Sequence, residues 1–314
     1  MPLFKRRIRA DGLTGVSIQP DGVAVARVSR GKSLRPTLEC MRYSPAPGNA
    51  ERTHKIRELA QSLNIDRTLC NNVIEPADYQ LLLVEAPDVR PEELKAAVRW
   101  RVKDLIGFHI DDAVIDVFEI PGQSRSGQAR MMYVVAARAS VVGQYVDNLD
   151  ASSMQLQSID IPELCLRNIA ALTDDDVQGT ALLYFTATYG LMVLTRQHTL
   201  YLARKLDIGA DTLATAHRSG RESQYLESIV LEVQRSLDYY DSHFSQPPIS
   251  SLLLAPTETP LPFLQPYLAD NLGLPVKNLD LGELLEGRDK FDPDTQARCM
   301  MAVGASLRME SVTL

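Results

Sequence analysis

The chain has 314 residues, 45% hydrophobic and 23% charged, with a formal net charge of −7. That length is about twice the usual single-domain size, so two lobes or domains are expected, each with enough apolar mass for a core. The negative balance disfavours wholesale coating of DNA or RNA, which rests on a surplus of Lys and Arg.

In chain order, residues 13–43 read as an antiparallel meander. Leu13–Ile18 turns at Gln19-Pro20-Asp21-Gly22, Val23–Val28 turns at Arg30-Gly31-Lys32, and Thr37–Tyr43 follows. Pro fixes φ and Gly takes the left-handed conformation, so Pro-Asp-Gly is a strong turn signal. A helix is expected over Asn49–Leu63, then short strands at Asn72–Ile74 and Gln80–Val84. Pro91-Glu92-Glu93 opens a helix, with acids at its positive end and an apolar face of Leu94, Val98, Val102, Leu105 and Ile106. Strands at Ala113–Ile120 and Met131–Ala137, a helix at Ser140–Leu149 and a strand at Met154–Ile159 complete a small α+β subdomain over about residues 78–160.

A helix at Glu163–Leu172 and an acidic break at Thr173–Asp176, read as a solvated inter-lobe linker, lead to a second meander: Ala181–Phe185, Gly190–Thr195 and His198–Lys205. Two meanders each leading into helices point to two related lobes. A long helix over Arg221–Asp241, a buried strand at Ile249–Leu254, a helix after Pro260, a strand at Val276–Leu279 and a closing helix from Asp294 to Met309 finish the chain.

Cys40, Cys70, Cys165 and Cys299 form no CxxC pair and read as small buried hydrophobes in a reducing compartment. The five histidines show no paired ligand spacing, so no metal is expected. No apolar run reaches the roughly 20 residues that span a bilayer, which suggests a cytosolic or membrane-docked protein. Lys5, Arg6, Arg7 and Arg9 read as a flexible tail or as a contact for an anionic leaflet, each cation worth about 1 kcal/mol there. Gly122–Gly127 reads as a mobile hairpin tip. Trp100, the single tryptophan, is expected to pack inside the small subdomain, the alternative being the lining of a peptide groove.

Several phrases carry a family resemblance in their order: Phe4-Lys5-Arg6-Arg7 before Leu13–Ile18, Glu92–Pro121, Val134–Arg138 leading to Ser158–Glu163, Arg204–Leu213, and Ala302–Arg308. Nearly the whole chain resembles the PilM-like actin-like (ASKHA) proteins of type IV pilus assembly, most nearly the MshI-like branch that serves mannose-sensitive haemagglutinin (MSHA) pili. The resemblance implies an α/β (α+β) fold of two actin-like lobes. Residues 1–178 would form the first lobe with the small subdomain inserted, 179–291 the second, and 292–314 a helix returning to the first.

The resemblance also locates a nucleotide site and shows it damaged. Where the family's first phosphate hairpin reads Gly-Ile-Asp-Ile-Gly, this chain has Gly15-Val16-Ser17-Ile18-Gln19; where the second reads Val-Asp-Ile-Gly, it has Leu183-Tyr184-Phe185-Thr186. An adenine-side Gly-Gly turn is replaced by Ala255-Pro256-Thr257-Glu258, while Gly15, Gly190 and the turn around Gly209 survive as remnants. With Ser17 and Tyr184 in place of both metal-organising carboxylates, the expectation is no catalysis, no resident cofactor, and at most weak ATP or ADP binding at a vestigial site of Gly15, Ser17, Gln19, Tyr184, Thr186, Gly190 and Gly209.

The implied partner is a PilN-like single-span inner-membrane protein, whose cytoplasmic N-terminal tail would enter a groove between the first-lobe core and the small subdomain. That partner would link the chain to the assembly ATPase and hold it peripherally at the cytoplasmic face of the inner membrane. The alternatives are a GspL-like scaffold of a type II secretion system, an active actin-like ATPase, and a polymerising element.

Overall fold

The computed structural model describes residues 9–31, 33, 35–121, 123, 130–150, 152–287 and 291–310. The basic start up to Ile8, and the expected hairpin tip at Gly122–Gly127 apart from Gln123, lie outside them.

The first meander is present as β1 (Arg9–Gln19), β2 (Gly22–Ser29) and β3 (Thr37–Pro45). Helix α1 (Asn49–Ser62) returns the chain to β4 (Thr68–Val73), which pairs in parallel with β1. An inserted unit follows: β5 (Tyr79–Glu85), α2 (Pro91–Val102), β6 (Ala113–Glu119) and β7 (Met131–Arg138), with sheet order β5-β7-β6. Helix α3 (Ala139–Asp150) leads to β8 (Gln155–Asp160), which pairs in parallel with β4. The expected subdomain of residues 78–160 had included this last strand. Its backbone ladder instead places it in the five-stranded sheet β3-β2-β1-β4-β8.

Helix α4 (Pro162–Ala170) and a short helix α5 (Asp175–Gln178) connect to β9 (Thr180–Phe185), β10 (Gly190–Arg196) and β11 (Thr199–Leu206). Then come α6 (Ala210–Arg218), α7 (Ser223–His243), β12 (Ser251–Leu254), α8 (Leu264–Leu272), β13 (Val276–Asn278), α9 (Leu281–Leu284) and α10 (Pro293–Ser306). The second sheet runs β11-β10-β9-β12-β13 and so repeats the first: a meander, then two parallel strands beyond its first member.

Alternation of side chains decides what covers each sheet. On β2, Val23 and Val25 face a core with Ile56, Leu59, Tyr145 and Leu149 from α1 and α3, while Ala24, Ala26 and Val28 face α4 and α10. On β9, Leu183 and Phe185 pack with Ile229, Val233 and Tyr240 of α7, while Leu182 and Tyr184 face α4 and α10. Helices α4 and α10 thus lie between the two sheets, and one apolar core runs through both lobes. Fully burying a Leu, Ile, Val or Met there contributes roughly 1.5–3 kcal/mol each.

Other expectations change. The acidic break is not a solvated linker: Asp176 is 2% exposed and accepts from Thr195 Oγ1 at 2.8 Å and His198 N at 2.7 Å, closing the β10–β11 turn. Helix α2 stops at Val102, so Leu105 lies outside the helical repeat and is 55% exposed. Trp100 is 72% exposed rather than packed inside, since Val98, Val102 and Ile106 already fill the side of α2 against the small sheet. The closing helix ends at Ser306, three residues short of Met309.

Candidate functional site

The hairpin β1–β2, the turn β9–β10 and the loop after β12 converge where the lobes face each other, beside the N-terminal half of α10. Gly15 is packed, not open: a Cβ there would collide with the Ala302 carbonyl oxygen, so this glycine admits α10 against β1. Ser17 is 1% exposed on the same face of the strand. Gln19 Nε2 donates to the Arg298 carbonyl at 2.7 Å, tying the hairpin to α10.

The second hairpin is likewise occupied with itself. Thr186 Oγ1 accepts from Thr188 N at 3.3 Å and Tyr189 N at 3.1 Å, and the Thr186 and Ala187 carbonyls accept from Ala210 N at 2.8 Å and Asp211 N at 3.1 Å. The first donors of α6, a natural anion seat, are therefore used within the chain. Gly209 permits this contact, because a Cβ there would strike the Ala187 carbonyl. Gly190 packs against Phe185 and Leu206. Ala255 N donates to the Leu183 carbonyl at 2.9 Å, and Pro256 has no N–H to offer.

The electrostatics of the cleft are acidic. Glu258 projects from the loop after β12 and Asp21 from the β1–β2 turn; Arg298 meets them at 2.8 and 3.2 Å, and Asp294 at 3.3 Å. The Arg298 guanidinium also lies over the Tyr43 ring, 4.5 Å from its centroid. Deeper in, burial and then the neighbouring Asp78 push the Glu75 carboxyl up to about 7. Asp78 Oδ2 accepts from the Tyr145 hydroxyl at 2.7 Å, and Glu163 Oε2 accepts from the Tyr79 hydroxyl at 2.6 Å. Burial holds the Tyr184 phenol well above its ordinary value, so it stays neutral.

These residues do not fit a magnesium nucleotide. Ser17 and Tyr184 offer a metal hydroxyls rather than carboxylates, and the Ala210 and Asp211 N–H groups are already bonded within the chain. The remaining carboxylates would repel phosphate. Among the described residues, no group of three or more His, Cys, Asp or Glu could hold a metal ion.

A second feature is the seam beneath the small sheet. Met132, Val134 and Ala136 of β7 face α2, whereas Tyr133 and Val135 face the lobes. Tyr133 stacks on Phe118, ring centroids 5.1 Å apart, and its hydroxyl accepts from Ala203 N at 3.1 Å on the edge strand β11. Half-buried Leu81, Leu83, Phe118 and Met131 adjoin the second-lobe core here. Within this sheet β5 and β6 each pair only with β7 among the described residues, leaving one edge of each open.

No protein-family model matches the chain, and no curated protein matches it by sequence. Solved structures do match it. A chain of a PilM–PilN type IV pilus biogenesis complex aligns over 96% of this chain and 98% of its own, with TM-score 0.72 and 19% identity. The cytoplasmic domain of EpsL, an inner-membrane component of the type II secretion system of Vibrio cholerae, aligns over 95% and 98%, with TM-score 0.50 and 15% identity. A Bacteroides thetaiotaomicron protein with an actin-like ATPase fold and unknown function covers 91% and 95%, at TM-score 0.50 and 8% identity. The fold is actin-like. The paired sheets, with α4 and α10 between them, are the two lobes of that fold, and the cleft described above lies where they face each other.

Sequence reasoning had named Gly15, Ser17, Gln19, Tyr184, Thr186, Gly190 and Gly209, all of which lie on the two hairpins or at the start of α6. It missed Arg298, Tyr43 and Glu75. Arg298 is 277 residues from Asp21, and no local pattern marks it. Among the described residues no helix is long and apolar enough to cross a membrane.

Proposed function

We propose that this chain is a non-catalytic scaffold of a type IV pilus machine, of the MSHA-serving MshI-like kind, that captures the cytoplasmic N-terminal tail of a PilN-like inner-membrane protein. Likeness along almost the entire chain to a member of a PilM–PilN complex carries the reading. The seam under the small sheet supports it: open strand edges at β5 and β6 supply backbone partners for an extended peptide, and half-buried apolar side chains supply pockets. The absence of metal-organising carboxylates at Ser17 and Tyr184 supports a scaffold that works without ATP turnover. On this reading the protein sits at the cytoplasmic face of the inner membrane, held there by its partner and joined through it to the assembly ATPase.

The test is binding of a synthetic PilN-like N-terminal tail. Micromolar affinity is expected, roughly 8 kcal/mol. Because the net charge of −7 attracts any basic peptide, a scrambled peptide of equal charge is the control, run at low and high salt. Equal binding of both peptides would sink the proposal. So would steady-state phosphate release from ATP that disappears on changing either hairpin.

A further inference from the structure

We propose that Arg298 clamps the two lobes together in place of a bound nucleotide, its guanidinium joining Asp21 of the first lobe to Glu258 of the second. In a two-lobed nucleotide protein the ligand bridges the facing hairpins, and closure depends on it because it contacts both sides. Here the bridging charge belongs to the chain. Arg298 Nη2 lies 2.8 Å from Glu258 Oε2, and Nη1 lies 3.2 Å from Asp21 Oδ2. Its carbonyl holds Gln19 of the first hairpin, and its guanidinium covers the Tyr43 ring.

The charge count explains why one arginine suffices. Asp21, Glu258 and Asp294 converge on the same guanidinium. With it removed, three carboxylates would face one another across the mouth of the cleft, and repulsion would favour separation of the lobes. Of the three contacts, only that with Glu258 crosses between lobes; Asp294 lies on α10 itself, one turn before Arg298. Asp21 is 63% exposed, Glu258 41% and the arginine side chain one quarter, so dissolved ions reach the bridge and high salt weakens it. Helix α10 packs on the first sheet and α4 on the second, and the two lie against each other, so the lobes would stay joined there as the mouth opened.

This inference extends the scaffold reading without depending on it, and one experiment separates the two. Spin labels are placed at Glu51→Cys on α1 and Asp270→Cys on α8, with half-buried Cys40 changed to Ser, and the inter-lobe distance is read by pulsed EPR. The parent protein should give one narrow distribution at low salt. Arg298→Met and Glu258→Gln should each shift it to longer distance and broaden it, as high salt should in the parent. Asp294→Asn should leave it unchanged. Because Glu258 is on an exposed loop, its variant keeps the test decisive even if Arg298→Met disturbs α10. An unchanged distribution in Glu258→Gln overturns the clamp. Adding ATP and magnesium to Glu258→Gln should not restore the narrow form. If it does, the cleft still takes nucleotide and the nucleotide-free scaffold fails, while the need for a bridging group at the cleft is reinforced.

Discussion

Gly15 and Glu75 show how burial changes what a residue type means. Gly15 reads in the sequence as the remnant of a phosphate cradle, yet the space its missing Cβ leaves is filled by the backbone of α10. Glu75 carries no signal in the sequence, yet burial and Asp78 raise its carboxyl from the ordinary 4.5 to about 7, with Arg52 opposing and Asp21 reinforcing the shift. Between those values the folded protein keeps a proton that the unfolded chain releases. Stability from this group is therefore fully present below pH 4.5 and is lost as pH rises through 7, by at most about 3 kcal/mol. Glu75→Gln removes the titration. The variant should melt higher than the parent near about pH 8, with the gap shrinking toward about pH 5. Thermal melts at both values check this, and a gap independent of pH would count against it.

Among the elements, α2 departs most from its sequence reading. Its apolar spacing did define a helix with one buried face, since Val98 and Val102 are fully covered. The side of Trp100 could not be read from spacing, because an indole on the opposite face satisfies the same periodicity. Trp100 points to solvent with the Lys103 ammonium 4.8 Å from its ring centroid. As the single tryptophan, it reports only on that outer face. Its native emission should be water-like and readily quenched by acrylamide, and heating through the unfolding transition should move the emission maximum little. A blue-shifted, quencher-resistant emission would mean that a partner or second copy covers α2. Helix α6 has no counterpart among the expected elements: the turn around Gly209 stands there as a remnant of the nucleotide site, whereas the N–H groups that follow it start a helix against the β9–β10 turn.

At the level of the whole molecule, the decisive fact is that α10, packed on the first sheet, and α4, packed on the second, lie against each other between the lobes. Leu166 and Ile169 of α4 and Met300 and Val303 of α10 share one core with Val28 of the first sheet and Leu182 and Val193 of the second. Neither sheet can lose these helices without exposing that core, so the lobes should unfold together. Calorimetry is expected to show a single transition whose van't Hoff and calorimetric enthalpies agree. Two separated transitions would show that the lobes are independent domains. The repeated meanders, the amphipathic helices and the turn chemistry were all legible in the sequence, because each depends on neighbours within a few residues. The placement of β8 in the first sheet, the burial of Asp176 and the packing role of Gly15 were not. Nor was the meeting of Arg298 with Asp21 and Glu258. Those depend on which segments, distant along the chain, come to share one core and one cleft, and for the buried groups the exclusion of water that sets their energies exists only after the sheets have closed on α4 and α10.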